Sequence, residues 1–404
     1  MYCYTIIDFS CAFAAISARV IGTRTLTFPL MPTWGKHNFR GVIRISEDCA
    51  GLGTGTASLA YVCSRQAFPI TVIPGFHSES DEALRTWLRF KHDSSVIYKD
   101  IVSRARRNAF APMSYDAVQD DIYTAGFPCQ PYAGLGLHKG GSDKRGKSIS
   151  DAVCSHIEVR QPKVFILENV KGLIQGKHKP FFDRIIARLK KNGLYNVEWF
   201  VQQSLDSFSD QSRPRVYVTG VRKDLGTNLK FVPLAPIVSK PQFAARYFNT
   251  KPSQPTPSCT VARRNFEYAQ EILRAHIAAP SEPSSPVVIG DLAASPTFMQ
   301  CQIWQSPCVT KSRASAFAFW AIMKSYNGQW YHRQLDCLDF FHLQGWPDEL
   351  VSEILDHFSS THKHGKLNDL AGAIGNGFHF VVMGRLLVQA VRMLSQSRVQ
   401  DPWY

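Results

Sequence analysis

"GVIRISEDCAGLGTGTASLAYV", residues 41–62, reads as a strand that runs into a glycine-rich turn and then into a helix. GVIRIS (41–46) is short and apolar, AGLGTG (50–55) lets the backbone come close to a neighbour or a ligand, and TASLAYV (56–62) contains no helix breaker. The unit recurs. PITVIPGF (69–76) precedes the helical SESDEALRTWLRFKH (78–92), DDIYTAG (120–126) follows, and KVFILENV (163–170) precedes KPFFDRIIARLKKNG (179–193), whose apolar residues return at helical spacing. Apolar strands alternating with amphipathic helices predict a doubly wound, Rossmann-like α/β fold, its sheet mostly parallel and covered on both faces. VEWFVQQSL (197–205) and RVYVTGVR (215–222) lie too close together for a crossover helix, so an antiparallel hairpin is expected at one edge.

Beyond residue 222 the alternation stops. Residues 223–300 are rich in Pro and Ser, with KPSQPTPS (251–258) and APSEPSSP (279–286) flanking one helix candidate, RRNFEYAQEILRAHIA (263–278), and read as a small separate module. From 301 to 395 apolar periodicity returns, strongest in FHFVVMGRLLVQAVRMLSQ (378–396), so the main domain is expected to comprise 41–222 and 301–395. Residues 1–40 read as an extension lacking the basic start of a secretory signal; a transit peptide and a poorly ordered segment both stay open.

The 404 residues are 45% hydrophobic and 19% charged, which suits a folded protein and argues against wholesale disorder. A net charge of +14 favours a polyanionic partner such as nucleic acid, although a merely solvated basic surface fits equally well. The ten cysteines show no pair at zinc-ligand spacing, so no metal is expected, and their scatter suits a reducing compartment. No run of eighteen apolar residues occurs, so no transmembrane helix is expected.

In an open parallel sheet, ligands collect outside the carboxyl ends of the strands. That rule brings four turns to one rim: the glycine turn, the acid Glu79 after the second strand, the stretch GFPCQPYAGLG (126–136) with Cys129 behind Pro128, and Glu168 ending a very apolar strand. Each alone has a plain structural reading, as tight packing, a helix-terminal acid, loop filling or an acid with a buried partner. QSRPR (211–215) adds Arg213 and Arg215, which share a face if the chain is extended.

The order PCQ (128–130), ENV (168–170), QSRPR (211–215) and GNG (375–377) around an AGLG turn resembles the motif series of the DNA cytosine-5 methyltransferases. DKRG (143–146), SPCVTKS (306–312) and LQGWPDEL (343–350) extend the likeness, and the Pro-rich segment 223–300 stands where that family has its target recognition domain. The resemblance implies an S-adenosyl-L-methionine-dependent transferase that methylates carbon-5 of cytosine in duplex DNA, with the base flipped out of the stack. It assigns Cys129 as nucleophile, Glu168 as the group holding the ring nitrogen and exocyclic amine, and Arg215 with Arg213 to orient the base. It further implies cofactor contacts from Ala50, Gly51, Leu52, Gly53, Glu79, Asp100, Pro128 and Asn376, and substrate contacts from Gln130, Asn169 and Gln211. A monomer, located in the nucleus of a eukaryote or the cytoplasm otherwise, goes with that reading.

Departures from the pattern fall on Glu47 where the family usually has Asp, Cys49 where it has an aromatic residue, Thr54 where it has Gly, and Tyr132–Ala133 after the PCQ. Two alternatives stay open: a tRNA cytosine methylase of the same fold, and a silent DNA-binding relative. A thiol hydrolase would need a histidine base near Cys129, and nothing in the sequence ties His138 or His156 to it.

Overall fold

The computed structural model describes residues 41–65, 70–93, 95–102, 104, 120–127, 144–207, 209–237, 247–248, 253–277, 286–295, 299–325, 328–361 and 367–395. Its first part runs β1 (Gly41–Asp48), α1 (Thr54–Ser64), β2 (Ile70–Ser78), α2 (Glu82–Lys91), β3 (Val96–Tyr98), β4 (Ile122–Ala125), α3 (Lys144–Arg160), β5 (Val164–Val170), α4 (Lys179–Lys190), β6 (Tyr195–Gln203) and β7 (Pro214–Arg222). The strands form one seven-stranded sheet in the order β3-β2-β1-β4-β5-β7-β6. Pairing is parallel from β3 to β5, whereas β7 is antiparallel to both β5 and β6. The expected edge hairpin is therefore present. Strand order reverses between β1 and β4, and the crevice beyond their carboxyl ends is the place where such a sheet takes a ligand.

β5 shows why its sequence lacks polar alternation. Val164 and Ile166 point into a core built with Leu59 of α1 and Val382, Leu386 and Leu387 of α10 (Phe380–Ser395). Phe165 and Leu167 point the other way, onto Val153 and Ile157 of α3 and Phe182 and Ile185 of α4. Both faces are dry, so successive residues are apolar. The last helix thus packs on α1, with Phe380 edge-on to Tyr61 at 5.6 Å between ring centres.

The second part contains α5 (Thr260–Ile277), β8 (Val287–Asp291), β9 (Cys301–Ile303), α6 (Lys311–Ser315), β10 (Phe319–Lys324), β11 (Trp330–Gln334), α7 (Cys337–Leu343), α8 (Asp348–Thr361) and α9 (Leu367–Asn376), ahead of α10. β11, β10, β8 and β9 make an antiparallel four-stranded sheet in that order. One face is covered by Phe266, Ala269 and Leu273 of α5, and the other packs through Val287, Ile289, Phe319 and Ala321 onto Phe340 and Phe341 of α7. This sheet straddles residue 300, where the composition change suggests a boundary.

Candidate active site

The β1–α1 turn is built around a buried acid. Glu47 is fully buried; its Oε2 accepts from Gly55 N–H at 2.9 Å and its Oε1 from Thr56 N–H at 2.6 Å, which satisfies two orphan donors of the α1 N-terminus. Burial pushes its pKa up, but the hydrogen bond and charge of His77 and the Thr56 donors outweigh burial, so the carboxyl lies below its ordinary range. The longer Glu in place of Asp is matched by Gly55, because a Cβ there would stand 2.7 Å from Glu47 Oε2. Cys49 adopts a left-handed backbone (φ 54°), and its thiol is pushed well up by burial and by Asp48 and Glu79, which disfavours the nucleophilic thiolate there.

Glu79 and Asp81 divide the work of the acidic turn after β2. Asp81 caps α2 by accepting from Ala83 and Leu84 N–H, whereas Glu79 accepts from Gly51 N–H through Oε2 and from Asp81 N–H through Oε1, both at 2.9 Å. Trp87 Nε1 donates to the Leu52 carbonyl at 3.0 Å and Ala50 N–H to the Ser78 carbonyl at 3.0 Å, so the turn is held from several sides. Gly51 (φ 57°) has nothing within 4 Å of where a Cβ would lie. Its surroundings leave room for a ligand. The Ala50 and Leu52 side chains are buried, so what these two residues offer a ligand is backbone. Asp100 is exposed, with Oδ1 accepting from Val102 N–H at 3.0 Å.

The α9–α10 turn returns to this place. Asn376 is exposed at the end of α9, and a Cβ on Gly377 would stand 3.8 Å from Thr54 Oγ1 at the start of α1. Phe378 lies over Gly126, where a Cβ would meet its ring at 2.8 Å. The turn therefore bridges the β1 and β4 ends.

At the ends of β5 and β7 stand the other groups. Glu168, mostly buried, faces Arg215, with Nε 3.0 Å from Oε1. Arg215 also donates to the Pro214 carbonyl at 3.0 Å and to Cys308 Sγ at 3.4 Å. Asn169 donates from Nδ2 to the Phe127 carbonyl at 3.1 Å and accepts from Val170 N–H at 2.9 Å. It thereby ties β5 to the chain immediately before PCQ. Pro128, Cys129 and Gln130 lie outside the described residues, as does Asp143.

The structure changes the reading of three expected contacts. Gln211 is fully buried, and its amide accepts from Val309 N–H at 3.0 Å and donates to the Leu343 carbonyl at 2.9 Å, so it ties together three segments of the chain's own backbone. Arg213, 3% exposed, donates to the carbonyls of Val309 at 3.0 Å, Gly375 at 3.1 Å and Gly377 at 2.8 Å. It fastens the β7 entry to the GNG turn rather than reaching the rim. Asn169 uses its amide on the Phe127 loop. Sequence reasoning also missed Cys308, whose only signal is its place in SPCVTKS.

A family model for C-5 cytosine-specific DNA methylases matches residues 43–284. Among curated proteins, type II methyltransferase M.BsuFI of Bacillus subtilis is 37% identical over 113 residues, covering 28% of this chain and 27% of that protein. Type II methyltransferase M.NlaIV of Neisseria lactamica is 32% identical over 188 residues, covering 45% of this chain and 42% of that protein. The match to M.BsuFI thus spans about a quarter of its length. Among solved structures, the Entamoeba histolytica methyltransferase EhMeth superposes with a TM-score of 0.53 at 14% identity, covering 87% of this chain and 98% of that one. At that identity the likeness concerns the fold.

Proposed function

The chain belongs to the C-5 cytosine-specific DNA methylase family, and from that premise we propose that it transfers a methyl group from S-adenosylmethionine to carbon-5 of cytosine in DNA. The observation that carries the reading is the Glu168–Arg215 pair at 3.0 Å, on the rim of the β1–β4 switch point, beside a loop tied down at Phe127 two residues before Cys129.

The residues at the β1–α1 turn fit the cofactor. Open space at Gly51, the Glu79 carboxylate and the exposed Asn376 beside α1 offer what a nucleoside with a cationic sulfur would use: close backbone approach, acceptors for hydroxyls and an amide. S-adenosylmethionine, when bound, supplies a methyl group on that sulfur.

The remaining work belongs to the chain. Carbon-5 of cytosine is too electron-poor to attack a methyl sulfonium directly, so the Cys129 thiolate adds first at carbon-6. Glu168 accepts from the exocyclic amine and shares a proton with ring nitrogen-3, which draws off the charge as the sulfur–carbon bond forms. Arg215 holds the Glu168 carboxylate in place and favours the anionic ring. After carbon-5 has gained its methyl group, a base removes the carbon-5 proton and the electron pair expels Cys129 as thiolate. Carbon-6 is inside the stack of a duplex, so the cytosine must swing out, and we assign α5 and the small sheet to gripping the opened DNA.

Incubation with radiolabelled S-adenosylmethionine and either duplex DNA or tRNA tests the reading. We expect label in DNA, recovered as 5-methylcytosine and absent with Cys129→Ser. Label confined to tRNA would transfer the activity to the other substrate, and label in neither would sink the proposal.

A further inference from the structure

Arg213 poses an electrostatic problem that the proposed chemistry does not answer. It is buried, its guanidinium donates only to carbonyls and to sulfur, and among the described residues no carboxylate lies within ion-pair distance of it. Glu168 is already paired with Arg215. A buried cation without a counter-charge is expensive, so an anion close by is expected.

Among the described residues, Cys308 is a group within reach that can become one. Its Sγ receives N–H from Arg215 Nη2 at 3.4 Å and from Arg213 Nη1 at 3.6 Å, so one sulfur joins both guanidinium groups. Among the described residues, the charged groups facing it are Arg215 of β7 and Arg213 just ahead of that strand; Glu168 of β5 acts through Arg215, and His379, ahead of α10, faces Arg213 and is held neutral, pushed down to about 3 by burial and by Arg213. We propose that Cys308 is a positioning residue of this site, resting as a thiolate that neutralises Arg213 and holds the Arg215 guanidinium on Glu168. The electrostatics agree: burial pushes the Cys308 thiol up, and Arg215 and Arg213 together outweigh it, leaving it below its ordinary range. The thiols of Cys49, Cys63, Cys154, Cys301 and Cys337, by contrast, are all pushed up, with burial as the first cause.

The inference rests on the proposed methyl transfer for its functional consequence, but the thiolate itself is tested without turnover. Thiolate absorbance in the far ultraviolet is titrated for the full chain and for Cys308→Ser, and the difference belongs to this sulfur; Cys308→Ala provides a second subtraction if the serine variant folds poorly. A step centred below the ordinary thiol value of about 8.5 supports the proposal, and a step at or above it, or none, overturns it. Turnover supplies the second readout. Cys308→Ser should lower kcat on the order of tenfold to a hundredfold through a misplaced Arg215, and Cys308→Asp, which restores the negative charge, should recover most of it. Equal kcat in wild type and Cys308→Ser overturns the positioning role. If the wild type methylates neither DNA nor tRNA, the functional reading fails while the titration still reports on the thiolate.

Discussion

Arg213, just ahead of β7, and Arg215, its second residue, are two positions apart, yet their environments give them different duties. Arg213 reaches three backbone carbonyls in two other segments, and each carbonyl left unpaired in the interior costs about 1–3 kcal/mol. Arg213→Ala should therefore lower the melting temperature sharply. Arg215 pairs with Glu168 and Cys308, so Arg215→Lys, which keeps a cation beside the carboxylate, should melt near wild type and still lose turnover by on the order of a hundredfold or more, because an ammonium lacks the planar fork of the guanidinium. Thermal melts and methyl-transfer rates of the two variants check this; equal losses of stability would show the division to be wrong. Spacing alone offered a shared face for the two arginines if the chain is extended. It could not reveal that the GNG turn, distant in sequence, closes over one of them. The backbone partners of Gln211 were hidden for the same reason, since Val309 and Leu343 come from far along the chain.

At the level of elements, the α1 N-terminus depends on Glu47. Its folded-state pKa is depressed relative to the unfolded value of about 4.3, so ionised Glu47 contributes stability above that value and the contribution is lost as pH falls through the folded pKa. Glu47→Gln should be less stable than wild type near neutrality, and the gap should close below about pH 4. Denaturant melts across that range measure it; a gap that stays constant would contradict the assignment. The β–α units were legible because each strand and helix carries its own local pattern. The four-stranded sheet was not, because β9 spans only Cys301–Ile303 and β8 only Val287–Asp291, too short to carry a pattern of their own, and their pairing joins chain on either side of residue 300. The acidic turn shows how local signals can merge: Asp81 caps a helix, Glu79 serves the glycine turn, and the sequence presents them two residues apart.

For the whole molecule, a net charge of +14 and the proposed polyanionic substrate together predict binding that weakens steeply with salt. The logarithm of the DNA association constant should fall linearly with the logarithm of salt concentration, by about 0.9 for each phosphate neutralised. Fluorescence anisotropy at several salt concentrations reads the slope, and a flat line would remove charge as the driving term. The two halves of the chain meet through α10, whose Leu386 lies fully buried against the main sheet, so Leu386→Ala should cost about 2–5 kcal/mol in a global melt.

The covalent step is the centre of the account, and DNA carrying 5-fluorocytosine tests it most directly. Fluorine cannot leave carbon-5 as a proton does, so an enzyme that has added Cys129 and delivered the methyl group stays attached. With S-adenosylmethionine present, the wild-type chain is predicted to form a complex with this DNA that survives denaturation, and Cys129→Ser to form none. A wild-type protein that binds both ligands without forming the complex, or a Cys129→Ser variant that still forms it, would contradict the account.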